Sequence, residues 1–113
     1  LLEFSVSFFF RQINSNLHKH ASGKFTSSNV ERLITCGFKP DLVFCYQTTG
    51  GALYVYDAFY STTDFFYDNG SDIHTYKAIG STTYGLRSIE TTGFKVRQAA
   101  NASVNWNWIA LKF

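Results

Sequence analysis

Tyrosine side chains are the residues whose clustering most suggests a binding chemistry in this sequence. Six of the seven Tyr fall between positions 54 and 84. A Tyr offers a rigid apolar ring that can stack on a sugar and a hydroxyl, at a low cost in side-chain entropy, and Asp adds hydrogen bonds. The candidate ligand-binding residues are Tyr54, Tyr56, Asp57, Tyr60, Asp64, Tyr67 and Tyr76. The alternative is that the Tyr form cross-strand pairs that stabilise a sheet or a subunit contact.

His18 and His20 are weaker candidates, as metal ligands. On a strand, residues i and i+2 point to the same side, so both imidazoles would share a face. In a trimer, three such pairs could surround one transition metal, for which imidazole is a suitable ligand. The alternative is that both side chains are solvated. We expect no cofactor.

The sequence contains no recognisable catalytic constellation. Nucleophilic catalysis needs a nucleophile, a base and an orienting group within mutual reach. None of the three His lies in a Gly-x-Ser-x-Gly or His-Glu-x-x-His motif. Asp57, Asp64, Asp68 and Asp72 cluster among the Tyr, but a glycosidase needs two carboxyls that face each other across a cleft, and loop acids are usually solvated. We therefore predict that the protein is not an enzyme.

The two cysteines flank the turn from Gly37 to Asp41. If this turn closes a tight hairpin, Cys36 and Cys45 lie opposite each other and a disulfide is geometrically feasible. The alternative is two free thiols that pack as small apolar side chains.

The composition indicates the elements that must position these residues. Aromatic residues make up 19% of the chain and charged residues 16%. This balance excludes disorder and a coiled coil, and side chains of this kind suit β-strands. A net charge of +2 gives no argument for nucleic acid as a partner. The longest apolar run, Phe8–Phe10, is far too short for a membrane-spanning helix.

The pattern of apolar residues and turn signals predicts an all-β protein. The asparagine–glycine pair at Asn69 and Gly70 predicts a hairpin, and the polar stretch 12–29 is typical of a linker or long loop. The predicted strands are 3–11, 30–36, 41–47, 52–59, 63–67, 73–79, 83–90, 93–98 and 103–112.

Several strands are apolar on both faces, which indicates burial on both sides or contact with another subunit. Because so aromatic a chain would expose large apolar patches if it stood alone, we predict an oligomer. The candidate assembly residues are Phe8, Phe10, Trp106 and Trp108. Residues 1–20 are assigned to an N-terminal strand and polar linker that assists assembly, and 21–113 to the main module. The absence of Met suggests a fragment or processed product of a longer polypeptide.

The segment Gly37-Phe38-Lys39-Pro40-Asp41-Leu42-Val43 resembles the "GF-x-P-D-x-V" signature of a small module found in bacteriophage and prophage tail-fibre and other virion appendage proteins. The segment from Ala21 to Thr26 resembles the strand that precedes this signature. Gly93 to Val96 resembles its second "GF-x-V" step, and Asn105 to Ala110 its closing strand. Independently of the family, Phe38 and Phe94 each follow a Gly, so a tight turn could direct each ring into a core.

The resemblance implies an antiparallel β-sandwich, commonly assembled as a homotrimer, in a virion appendage made in the host cytoplasm. The expected function is recognition of the host surface, with a cell-surface glycan or protein as partner beside other virion proteins, and with no nucleic acid and no membrane insertion. The alternative is a purely structural virion protein, such as a connector, collar or decoration protein. A fragment of a carbohydrate-active enzyme is a third hypothesis, and the sequence offers no acid–base pair for it.

Overall fold

The strands of this chain form two antiparallel sheets. A computed structural model describes residues 17–71, 73–81, 84–98 and 104–113. The six-stranded sheet has the order β1-β9-β3-β4-β5-β6, and the three-stranded sheet has the order β2-β8-β7. The strands are β1 Lys19–Thr26, β2 Arg32–Thr35, β3 Leu42–Gln47, β4 Leu53–Asp57, β5 Asp64–Asp68, β6 His74–Ala78, β7 Gly85–Glu90, β8 Gly93–Arg97 and β9 Asn105–Lys112.

The prediction of an all-β, two-sheet antiparallel fold is confirmed for the residues that the structure describes. Eight of these strands, β2 to β9, fall within or close to their predicted ranges. The predicted strand 3–11 lies outside the described residues, as do the candidate assembly residues Phe8 and Phe10. The described part of the chain contains no helix that is long and apolar enough to cross a membrane.

The first strand corrects the assignment of residues 12–29 to a linker, because β1 occupies Lys19–Thr26. This strand lies at an edge of the large sheet and pairs with β9 alone. Its inward residues are Ala21, Gly23 and Phe25, two of which are small, so its apolar signal in the sequence is weak. The strand that the family resemblance implied at Ala21 to Thr26 is present.

The core lies between the inner faces of the two sheets. Side-chain direction alternates along each strand, and the inward residues of the large sheet include Val43, Cys45 and Phe65. Phe94 and Val96 of the small sheet face them, and the Phe94 ring meets Trp108 edge to face at 5.7 Å between centroids. Burial of these side chains stabilises the packing of one sheet on the other.

Trp106 and Trp108 belong to this core, with only 2% and 7% of each residue exposed. The prediction that they form an assembly surface is therefore wrong. Both residues have the same parity on β9, and that parity faces the small sheet. The Trp106 ring stacks on Phe25 at 6.0 Å and on Tyr54 at 4.8 Å.

The two glycine–phenylalanine steps are packing devices, as predicted, but their glycines differ. Phe38 and Phe94 are both buried. Gly37 has a φ of 90°, which favours glycine in a turn. Gly93 has no such φ, and its reason is proximity, because a Cβ there would lie 2.0 Å from the Ile34 carbonyl oxygen on β2.

The cysteines do not form a disulfide, and both thiols are free. The hairpin that a disulfide requires is absent, since β2 lies in the small sheet and β3 in the large one. The segment between them therefore crosses from sheet to sheet. Burial raises the pKa of both thiols, so both remain protonated.

Candidate functional site

The alternation of side chains along the strands divides the candidate Tyr into two groups. Tyr54, Tyr56 and Tyr67 have the parity of the inner face, and Tyr76 has the parity of the outer face of the large sheet. Tyr60 lies in the β4–β5 turn and is exposed. The sequence grouped these residues by their spacing along the chain, but the sheet separates them because successive side chains point to opposite faces.

Tyr60 and Tyr76, together with the half-buried Phe66, form an aromatic surface that we call the platform. Tyr60 and Tyr76 are 67% and 51% exposed. Phe59, which is 72% exposed in the same turn, instead meets the ring of Phe113, just after β9, with centroids 5.6 Å apart. The rings of Tyr60 and Tyr76 stack with centroids 5.0 Å apart and planes 25° apart. Phe66 lies beside them, directly opposite Tyr76 on the β5–β6 ladder, and meets its ring edge to face at 5.4 Å.

The turn that presents the platform is held by its own side chains. The Phe59 N–H donates to Asp57 Oδ1 at 2.9 Å, and the backbone carbonyl of Asp57 accepts from Tyr60 and Ser61 at 3.0 and 2.9 Å. Ser61 Oγ accepts from the N–H groups of Thr63 and Asp64, each at 3.2 Å. Such local bonds fix the turn backbone, and the stack on Tyr76 adds a contact that positions the Tyr60 ring.

The two candidate carboxylates have different roles in this geometry. Asp57 serves the turn through its bond to Phe59. Within the described ranges the Asp64 carboxylate has no hydrogen bond or ion pair, and its residue is half-buried beside the turn. Asp64 therefore retains the capacity to accept hydrogen bonds from a hydroxyl-bearing partner. Phe66 belongs to the same surface and was not predicted, because Phe is the most frequent aromatic in the chain and its exposure cannot be read from its type.

Tyr54 and Tyr56 are buried at 4% and 3% exposure, so neither presents a ring face to a large partner. Tyr54 packs against Phe65 and Tyr67, with both centroid distances 5.7 Å. Burial, followed by the proximity of Tyr67 and Cys45, raises the pKa of Tyr54 well above its usual value. Its hydroxyl is therefore neutral at physiological pH.

Tyr56 lines a cavity of about 630 Å³ near the segment between β2 and β3. Burial, with Asp41 and Asp57 nearby, raises the pKa of its hydroxyl. The main cation of this cavity, Arg87, is already bound to Glu31 at 3.2 Å and to the Gly80 carbonyl at 3.1 Å. Asp41 accepts from the Phe113 N–H at 2.9 Å. Arg87 and Asp41 are thus used to hold the fold together, whereas Lys39, which also lines the cavity, makes no ion pair with a described residue.

His18 and His20 lie at the start of β1 and are exposed. His20 is opposite Leu111, and the His18 N–H donates to the Lys112 carbonyl at 2.8 Å. The two residues share a parity on one edge strand, and a metal on a trimer axis remains a prediction. Over the part of the chain that the structure describes, no group of three or more His, Cys, Asp or Glu could hold a metal ion.

Of the sites that contain the candidate residues, the platform is the one open to a large partner. It combines exposed rings with the carboxylate of Asp64, which has no partner among the described residues, and such a surface suits a ligand that carries both CH faces and hydroxyls. Comparison of the chain with protein-family models, with curated proteins and with solved structures finds no match.

Proposed function

We propose that this chain is a non-enzymatic recognition module of a virion appendage of the tail-fibre type, and that it binds a carbohydrate on the host surface. The observation that carries the proposal is the platform, in which the exposed Tyr60 ring, on a turn braced by its own side chains, stacks on the exposed Tyr76 ring of β6. Rigid aromatic rings bind sugar CH faces with little loss of entropy. The free Asp64 carboxylate would accept hydroxyl hydrogen bonds at the margin.

The module acts as a homotrimer in this proposal. A platform of three rings binds a sugar weakly by itself. Three copies of it on one particle would gain avidity without any new contact. Virion proteins and the host glycan, or a host surface protein, are then its partners. The resemblance of Gly37 to Val43 to the appendage signature supports this setting.

Replacement of the platform rings tests the proposal. We expect the full chain to bind members of a glycan array, and Tyr60→Ala and Tyr76→Ala each to weaken that binding about tenfold, because each removes a stacking face. Leu33→Ala is the matched control, since Leu33 is 46% exposed on β2 of the other sheet. Binding unaffected by both Tyr changes, or no glycan bound at all, would contradict the proposal.

A structural virion protein is the second candidate, and the outer face of the large sheet favours it. The pairing register places Ile109, Phe44, Val55, Phe66 and Tyr76 in one row across that face. Ile109, Phe44, Val55 and Phe66 are only half-buried. A continuous apolar row of this kind is typical of a contact surface.

Sedimentation separates these candidates. The recognition module is expected at three times the chain mass of 12.8 kDa, with its platform outside the contact between copies. If the row is instead the contact surface of a structural protein, Val55→Lys is expected to dissociate the assembly, since it puts a charge in the middle of the row. A wild-type chain that stays monomeric at about 100 μM, well above the dissociation constants of stable assemblies, contradicts the trimer. Assembly without any glycan binding favours the structural candidate.

A further inference from the structure

We propose a second binding site in a pocket at one end of the two sheets, which takes a single uncharged sugar residue. The pocket lies where the β1–β2, β3–β4 and β5–β6 connections meet, and its volume is about 240 Å³. The inference rests on the proposed function only for the class of ligand, because the residues involved are separate from the platform. We call this site the end pocket.

The end pocket is lined mainly by rings and amides. Its aromatic residues are Tyr54, Tyr67, Tyr84 and Trp106, and its side-chain amides include Gln47 and Gln98. None of its lining residues is Asp, Glu, Lys or Arg among those described. Rings that offer apolar faces, together with amides that offer directed hydrogen bonds, recognise neutral polyols.

Two buried donors distinguish the end pocket from an ordinary gap between sheets. Trp106 Nε1 is buried and has no hydrogen-bond partner, and Gln98 Nε2 meets no acceptor at full hydrogen-bond geometry, although the Tyr54 hydroxyl lies within reach of its side chain; both residues line this pocket. Trp106 and Gln98 are only 2% and 4% exposed. A buried donor without an acceptor costs on the order of 1–3 kcal/mol, so two of them at one pocket indicate that a ligand oxygen completes the site.

The positions of the two donors are fixed to different degrees. The Trp106 indole is held between the rings of Phe25 and Tyr54, so its N–H direction is set. The Gln98 side chain is held through Oε1, which accepts a long 3.4 Å bond from the Ser28 N–H. Both donor atoms are shielded from solvent, so a ligand oxygen reaches them only when a side chain that covers them moves. We therefore expect the Gln98 side chain to rotate as the ligand binds and Trp106 to stay in place.

The ligand class follows from the shape and the charge of the end pocket. A volume of about 240 Å³ is below the roughly 300–1,000 Å³ of pockets for drug-sized ligands, so it accommodates one ring. Two N–H donors require an acceptor oxygen, such as a hydroxyl or an acetamido carbonyl. Lys77 and Arg97 lie over the rings of Tyr67 and Tyr84, at 4.7 and 5.8 Å from the centroids, and neither lines the pocket. An uncharged monosaccharide, or one such residue at the end of a glycan chain, fits these features.

The indole N–H resonance of Trp106 provides a direct test. The chain has two Trp, so the two indole signals can be assigned with Trp108→Phe. Titration of the full-length protein with the methyl glycosides of glucose, galactose and N-acetylglucosamine is expected to shift the Trp106 signal and leave the Trp108 signal in place. An unchanged Trp106 signal with all three sugars, or a preference for sialic acid over them, would overturn the inference. A response to oligosaccharides only when the same sugar is terminal identifies the glycan end as the source.

Gln98→Met is the matched variant, because it keeps the length of the side chain and removes the amide donor. We expect it to weaken the sugar response about tenfold, as for one lost hydrogen bond in a buried site. Tyr60→Ala, on the platform, is expected to leave the response unchanged. Wild-type affinity in Gln98→Met overturns the end pocket. Loss of array binding in Tyr60→Ala alone leaves the platform standing without the pocket, and loss in Gln98→Met alone does the reverse.

Discussion

Glycine at position 23 illustrates how a single residue sets the contact between a strand and the core. Gly23 lies opposite Trp108 on the β1–β9 ladder, and the Trp108 ring covers it. A Cβ on Gly23 would lie 2.8 Å from the indole Nε1 and 2.9 Å from two ring carbons. Because the other side of this ring meets Phe94 edge to face, the ring has little room to move.

Gly23→Ala is therefore expected to lower the free energy of unfolding by about 2 kcal/mol, the usual penalty for an overfilled core. Urea unfolding followed by Trp fluorescence measures the loss. Ser22→Ala, one position along the same strand and on the exposed outer face, is the control and should be nearly neutral. Equal stability of Gly23→Ala and wild type would show that the Trp108 ring moves aside freely.

The β5–β6 hairpin is the element whose sequence signal and structure agree most directly. Asn69 and Gly70 predicted a hairpin, and β5 pairs with β6 from Asp64 and Ala78 to Asp68 and His74. Gly70 has a φ of 85°. The connection from Asp68 to His74 is longer than a two-residue turn. Within it, Asn69 Oδ1 accepts from the N–H groups of Ser71 and Ile73 at 2.9 and 3.0 Å. The side chain of Asn69 thus takes the place of backbone bonds that a shorter turn would make.

Acid is expected to weaken this hairpin through Asp68. The Gly70 N–H, which donates to Asp68 Oδ1 at 2.7 Å, and then His74 Nδ1 at 3.1 Å from Oδ2, hold the pKa of the Asp68 carboxyl below its usual 3.8. Since the folded pKa is lowered, the stabilisation is present above 3.8 and is lost as pH falls through the folded value. A carboxyl ¹³C titration should place the midpoint below 3.8. His74→Ala should raise it only in part, because the larger contribution comes from Gly70; a full return to 3.8 would contradict this ranking.

At the scale of the whole molecule, the core contains acidic groups that must stay protonated. Cys45 is fully buried between the sheets. Tyr54 lies opposite it on the β3–β4 ladder and packs against the rings of Phe65, Tyr67 and Trp106. Burial raises the pKa of both groups above their usual 9.0 and 10.0. Ionisation of either group in the folded chain would bury an unpaired charge.

Alkali should consequently destabilise the protein from about pH 9 upward, where the unfolded chain begins to release these protons and the folded chain does not. The urea midpoint is expected to fall between about pH 8 and about pH 11 in wild type. Tyr54→Phe should show a smaller fall over the same interval, whatever its stability at neutral pH, because it removes one of the groups. An identical fall in both proteins would mean that Tyr54 ionises in the folded state.

The sequence by itself determined that this chain forms β-strands, where eight of them lie, and that Phe38 and Phe94 are core residues. Those features depend on local composition, on period-two alternation and on turn residues, which act over a few positions. It also singled out Tyr60 and Tyr76, which the structure leaves exposed, and their contact with a ligand stays a prediction.

Only the tertiary structure decided which face each ring occupies and which strands are neighbours. β9 lies between β1 and β3, which brings together residues 59 to 93 positions apart. This pairing encloses Trp106 and Trp108 in the core, although their sequence context equally suited a surface that contacts another subunit. It also brings Gln98 and Trp106 to one pocket. The sequence could not show these contacts, because strand order and sheet packing depend on the burial of side chains from the whole chain and not on any short segment of it.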